Sequence, residues 1–280
     1  MKQRIITGAV IVAVMVAVLC LMYSPVFMFF FSLISAIAVY EIDKVAQIKN
    51  KVTIALSMLV AFFVPIYIEM DFKKVVSAGV LLAIYVLIML FVMLWKYEKT
   101  RFEHIAISVF ASIMVPCSFS VFLFLRDLYL IYPEKYSRLN GIYYIVFVFI
   151  CSWITDTFAY FVGRKFGKHK LTPRISPKKT VEGALGGIII TAVVNLIVLY
   201  AFNNYLFISF KISYGFTLLL SVILSVVSML GDLSASTIKR NYSIKDFGNL
   251  MPGHGGIMDR FDSCLFVLPS MYILLNLFTK

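Results

Sequence analysis

Charge is what this chain has least of. Only 14% of its 280 residues are Asp, Glu, Lys or Arg, against about 25% in a soluble globular domain. With 61% hydrophobic residues and a mean hydropathy of +0.94, that shortage excludes a water-soluble domain. Histidine and cysteine are also scarce, at three and four residues. Cys20, Cys117, Cys151 and Cys264 lie inside or at the edge of apolar runs, at no metal-ligand spacing. Zinc and disulfide readings both fail on that pattern, which leaves the thiols as small packing groups. A signal-peptide cleavage site is missing too. Lys2 and Arg4 precede an apolar core, but no small-residue site follows, and Leu19 stands before Cys20 where a lipoprotein signal has a small residue. The expectation is an uncleaved first span.

What the chain does have is long apolar runs. Nine stand near membrane-spanning length, at about 5–22, 25–40, 52–68, 75–95, 105–125, 141–162, 183–201, 212–231 and 263–279. They are continuous, unlike the alternating segments of about ten residues in a membrane β-barrel. The fold expected is all-α: a polytopic transmembrane helical protein of about nine spans with two charged loops. Residues 1–140 hold about five spans, and 141–280 hold about four plus both loops. The first two runs are divided only by Ser24-Pro25, so eight spans and a re-entrant segment is the alternative.

The distribution of Lys and Arg sets the orientation. With the N-terminus inside, the inside segments hold 19 basic residues and the outside segments 7. Both long polar loops, 163–182 and 232–262, then face the cytoplasm. The net charge of +12 is read as orientation plus attraction to anionic lipid, with no nucleic-acid partner expected. That reading covers scattered lysines such as Lys44, Lys49 and Lys51. It does not explain the local order within the two loops.

The first loop carries seven basic residues and one acid, Glu182. Pro173 and Pro177 stiffen the stretch that presents Lys178 and Lys179, and the next span's free N–H groups follow. The loop is compatible with an orienting anchor and with an anion site. Asp156 lies in the preceding apolar run, where a carboxylate faces an interior or aqueous cavity at a cost. It serves either a site or helix packing.

The second loop is read as opening at Gly231-Asp232 and closing at Asp259-Arg260-Phe261-Asp262, between two antiparallel spans. That brings Asp232 and Asp259 to one membrane depth, with Asp259 and Asp262 on one helical face. Carboxylates that converge repel one another unless a cation neutralises them, and hard oxygen ligands suit Mg²⁺ with phosphate oxygens. Lys239, Arg240, Lys245, Asp246, His254 and Arg260 lie among them. Pro252-Gly253-His254-Gly255-Gly256 allows close backbone approach to phosphate.

Ser236, Ile238, Lys239, Arg240, Lys245, Asp246, Gly248, Pro252, His254, Gly255, Gly256, Ile257, Asp259, Arg260 and Asp262 stand in one ordered signature. This segment resembles the phosphatidate cytidylyltransferases, also called CDP-diacylglycerol synthases. Asp156-Thr157 through Gly163-Arg164 and Ile175 through Gly183 look like further blocks of that family. The resemblance covers about 150–265, and the first 140 residues carry only hydropathy. Ala235 stands where many members have an acid, which leaves Asp232 and Asp259 as the expected metal pair.

The resemblance implies that CTP and phosphatidate give CDP-diacylglycerol and pyrophosphate. It implies one or two Mg²⁺ ions, with a monovalent ion compatible, and a homodimer in a bacterial cytoplasmic membrane. Asp232, Asp259, Lys239, Arg240, Lys245, Asp246 and Asp262 are the expected catalytic residues. Lys178, Lys179, Ser236, His254, Gly255, Gly256, Arg260, Asp156 and Arg164 are the expected substrate contacts. No nucleophilic side chain is required, and no Ser, His and Asp stand in an order that supplies one. The rival readings are a transporter or channel, a CTP-dependent lipid kinase, and the same reaction on an ether-linked lipid.

Overall fold

The computed structural model describes residues 2–70, 76–205 and 211–279, with side chains from 7 to 278 among them. The side chains of Lys2 and Arg4, and the residue Lys280, lie outside that set. The chain is an all-α membrane protein. Its helices are α1 (Lys2–Cys20), α2 (Pro25–Val45), α3 (Lys51–Glu69), α4 (Ala78–Trp95), α5 (Phe102–Arg126), α6 (Leu128–Ile131) and α7 (Arg138–Phe149). After a π-turn (Ile150–Ile154) come α8 (Thr155–Phe166), α9 (Val181–Tyr205), α10 (Tyr214–Asn241), α11 (Met258–Phe261) and α12 (Cys264–Thr279). Among the described residues, seven helices are long and apolar enough to cross a membrane. The shorter apolar stretches Thr7–Cys20 and Cys264–Phe278 coincide with the first and ninth expected runs. Leu87, Phe91 and Leu94 on α4 are each more than 60% exposed, as suits side chains whose solvent is hydrocarbon.

Two compact units divide the chain. Residues 1–123 and 242–260 form the first, and residues 124–241 and 261–280 the second. Tyr242–Arg260 packs with the N-terminal helices in the first unit.

In the first unit, Phe31 of α2 stacks on Phe122 of α5, with ring centroids 4.5 Å apart. Asn50 caps α3 by accepting the Val52 N–H at 3.0 Å, and its amide donates to Thr100 Oγ1 at 2.9 Å. Asp43 is buried between α2, α3 and α5 and accepts from Ser57 Oγ at 2.5 Å and Ser108 Oγ at 2.7 Å. In lipid, helices gain no hydrophobic drive from one another, and such polar contacts and close packing hold them together.

The second unit repeats that device as a seam. Thr155 Oγ1 meets Thr191 Oγ1 at 2.9 Å and Ser225 Oγ at 3.1 Å. Asn195 Nδ2 donates to Ser221 Oγ at 3.0 Å, and Tyr143 pairs with Thr217 at 3.1 Å. These contacts lock α7, α8, α9 and α10 into register. Cys151 and Cys264 are buried packing groups as expected, whereas Cys20 and Cys117 are exposed, and all four are free thiols.

Two local expectations are corrected. The expected loop 163–182 contains an antiparallel hairpin, β1 (Lys170–Thr172) with β2 (Ser176–Thr180). The expected loop 232–262 does not open at Gly231-Asp232, because α10 continues to Asn241. Lys239 and Arg240 sit in its last turn, where cations favour the carbonyl end of a helix.

Candidate active site

The polar extension of α10 decides the site's layout. Asp232, Ser236, Lys239 and Arg240 are four, seven and eight residues along one helix and so share a face. Ser236 Oγ donates to Asp232 Oδ1 at 3.3 Å. The hairpin closes on the same face: Lys179 Nζ pairs with Asp232 Oδ2 at 2.5 Å, and Arg240 Nε donates to Ile175 O at 3.4 Å. The hairpin of the first polar loop and the polar end of α10 therefore lie on one side, as the orientation argument requires.

α12 closes the other flank. Gly231 lies against the start of that helix, where a Cβ would stand 3.0 Å from Asp262 O and 3.1 Å from Ser263 Cα. A side chain there would force the neighbouring backbone to give by a few tenths of an ångström, so glycine suits the close approach. Asp262 is not on a helix continuous with Asp259. α11 ends at Phe261, and Asp262 and Ser263 form the turn before α12. Asp262 Oδ1 accepts its neighbour's Ser263 N–H at 2.8 Å, and Lys239 Nζ stands 3.9 Å from Asp262 Oδ2. Ser263 Oγ donates to Asp156 Oδ2 at 2.8 Å. Asp156 follows the π-turn, a feature frequent at functional sites. Burial pushes the Asp262 carboxyl up to about 7; the charges of Asp232 and Asp156 add to that, and Lys239 opposes it.

A cavity of about 200 Å³ opens here, lined by Asp156, Tyr160, Ser176, Lys178, Lys179 and Asp232 among others. It offers room for a phosphate group and several waters. A cavity of about 300 Å³ at Lys135, Tyr136, Lys211 and Phe278 has no carboxylate in its lining. The smaller cavity is the candidate site because it collects both signs of charge. Its carboxylates fit a hard divalent cation in chemistry, and their mutual repulsion is what such an ion relieves. Among the described residues no three His, Cys, Asp or Glu are grouped so as to hold a metal by themselves.

The Pro-Gly-His-Gly-Gly segment belongs to the first unit. Gly253 and Gly255 have φ of 78° and 83°, a left-handed conformation that favours glycine. Met251 N donates to Gly255 O at 2.9 Å and closes the turn. Asp259 is buried here, and its Oδ2 accepts the Phe247 N–H at 2.7 Å and the Gly256 N–H at 3.0 Å. The Asp232 of the expected metal pair is thus at the second unit's cavity, while Asp259 organises the first unit's loop. His254 Nδ1 is buried and, among the described residues, has no hydrogen-bond partner. Arg260 is half-buried beside Asp259, and Lys245 and Asp246 are exposed at the start of the loop. In the second unit, Lys178 is exposed beside the cavity, and Arg164 is exposed in the last turn of α8.

Sequence reasoning missed two residues. Ser263 fixes Asp156 and was hidden as a small residue beside Asp262. Glu41 accepts the N–H groups of Ile257 and Met258 at 3.0 and 2.9 Å. Its signal was an acid one residue past the second apolar run.

Residues 2–278 match the profile described as the cytidylyltransferase family. A phosphatidate cytidylyltransferase of Bacillus subtilis (strain 168) is 36% identical over 283 residues, covering 100% of this chain and 99% of that protein. Proteins of the same name from Staphylococcus haemolyticus (strain JCSC1435) and Staphylococcus aureus (strain COL) are 48% and 47% identical over 139 residues. Those matches span 50% of this chain and 51% of each relative. With a family match that runs nearly end to end and a full-length relative beside it, the chain belongs to the cytidylyltransferase family.

Proposed function

We infer that this chain transfers the cytidylyl group of CTP to phosphatidate, giving CDP-diacylglycerol and pyrophosphate for phospholipid synthesis. The observation that carries the reading is the gathering of Asp156, Asp232 and Asp262 with Lys179 and Lys239 at the polar ends of membrane helices. A phosphatidate oxygen attacks the α-phosphorus of CTP, the bond to the bridging oxygen breaks, and pyrophosphate leaves. Both reactants are anions, so the work is charge neutralisation and alignment.

Lys178 and Lys179 are donors for phosphate oxygens at the cavity, and Lys239 and Arg240 are donors along α10. In the first unit, His254 and the Gly255 N–H are further donors for phosphate, with Lys245 beside them. No side chain bonds to the nucleotide. We propose that Asp232 and Asp262 hold a divalent cation, with Asp156 supporting them. When bound, that ion supplies positive charge at the phosphate oxygens.

The chain sits in the cytoplasmic membrane with this site facing the cytoplasm, a placement supported by the basic-residue count of 19 against 7. The nucleotide then arrives from water and the lipid from the bilayer. A homodimer completes the proposal, and cross-linking in native lipid that yields only monomer removes that part alone. Purified chain in lipid vesicles tests the reaction. Pyrophosphate release should require CTP and phosphatidate together, and release that proceeds equally with diacylglycerol in place of phosphatidate would refute the reading.

A further inference from the structure

We propose that Glu41 is a positioning residue for the loop that carries His254, Gly255, Gly256 and Asp259. The proposal rests on the reading of this chain as a phosphatidate cytidylyltransferase. Glu41 lies near the end of α2 and is only 4% exposed. Both of its oxygens are committed: Oε1 accepts the Ile257 N–H at 3.0 Å, and Oε2 accepts the Met258 N–H at 2.9 Å. Asp259 takes the preceding N–H, that of Gly256, at 3.0 Å. Three consecutive backbone donors are therefore held by two carboxylates.

The Glu41 carboxylate lies close against two glycines. A Cβ on Gly248 or on Gly256 would collide with the Glu41 carboxylate. Both glycines belong to the signature segment, and their partner is a residue more than 200 positions earlier in the chain.

The loop needs such a restraint. Gly253, Gly255 and Gly256 give its turn high backbone freedom, while Phe247, Ile257 and Met258 at its two ends are buried. A further tether in the first unit is Thr7 Oγ1, which donates to Pro252 O at 3.1 Å. A buried carboxylate is a poor device for joining a helix to a loop, because apolar packing of similar volume does so without the desolvation cost. What the carboxylate adds is direction. It fixes the N–H vectors at 257 and 258, and through them the left-handed turn at Gly255 and the ring of His254. The buried Nδ1 of that ring, lacking a partner among the described residues, is aimed by the same restraint.

The test uses the full chain in lipid vesicles, as wild type, Glu41→Gln and Glu41→Ala. Amide hydrogen exchange is read over residues 247–259 and over α3 to α5, beside kcat and KM for CTP and phosphatidate. Glu41→Ala should raise exchange within 247–259 by about tenfold or more and leave α3 to α5 unchanged. It should lower kcat by about 10²-fold, the cost of a misplacement near 1 Å, with KM for phosphatidate unchanged. Glu41→Gln keeps one acceptor and should lose about tenfold, between the other two. Unchanged exchange at 247–259, or unchanged kcat in Glu41→Ala, overturns the proposal. Exchange that rises throughout α2 to α5 also overturns it, since Glu41 would then only support the fold. A wild type that makes no lipid-linked cytidine refutes the reaction instead, and the exchange data still decide the positioning.

Discussion

Asp262 is the residue on which the site's electrostatics turn. Its carboxyl is raised to about 7 by burial and by Asp232 and Asp156, whereas an unfolded Asp titrates near about 3.9. Between those values the folded chain keeps a proton that the unfolded chain has lost. Stability should therefore fall as pH rises from about 4 to about 7. Asp262→Asn should flatten that slope and raise the unfolding temperature at pH 8 by a few degrees. Adding Mg²⁺ should stabilise the wild type more at pH 8 than at pH 5; equal shifts at both pH values would argue against a cation at these carboxylates. Asp232→Asn should lower turnover by about 10³-fold, as loss of an electrostatic clamp does, and near-normal rates would remove Asp232 from the site. His254→Gln should keep most of its activity across pH 6 to 9. A loss that tracks a pKa near about 6.5 would mean proton transfer by His254 instead. The acids of the signature were legible because opposed charges in a lipid-embedded chain need a reason. Glu41 was not used, because its partners lie 216 and 217 residues away and no local pattern names them.

The apolar runs located the helices well, since membrane thickness fixes their length and hydropathy reads it. The elements that escaped were polar. α10 runs ten residues past Gly231, and its charged turns look like loop once hydropathy falls. The hairpin escaped because β2 contains Pro177 and no apolar alternation, as a short edge strand in water allows. The π-turn at Ile150–Ile154 has no sequence signal in an apolar run. These missed elements carry Asp232, Lys239, Lys179 and the approach to Asp156, so the residues were legible and their arrangement was not. The contact of α10 with α12 should be intolerant of bulk. Gly231→Val would bring side-chain atoms against Asp262 O and Ser263, costing about 1–3 kcal/mol of stability and most of the activity. Gly79→Ala, which meets nothing within 4 Å, is the matched control and should be silent. Equal behaviour of the two variants would mean that the close approach at Gly231 does not matter.

The all-α polytopic fold follows from the runs, and the proposed orientation rests on the distribution of Lys and Arg. That Tyr242–Arg260 packs with the N-terminal helices was not legible in the sequence, since only the folded chain shows what Glu41 holds. Lys170→Cys and Asn249→Cys, each in a Cys-free background, should both react with an impermeant thiol reagent from the cytoplasmic side. Labelling from opposite sides would break the shared orientation of the two polar segments. The account stands or falls on which phosphorus of CTP reaches the lipid. Purified chain in vesicles containing phosphatidate should be given CTP labelled at the α-phosphate in one reaction and at the γ-phosphate in another. The α label should appear in the lipid, with the γ label wholly in pyrophosphate. A γ label in the lipid with CDP released would make the chain a lipid kinase and contradict the account.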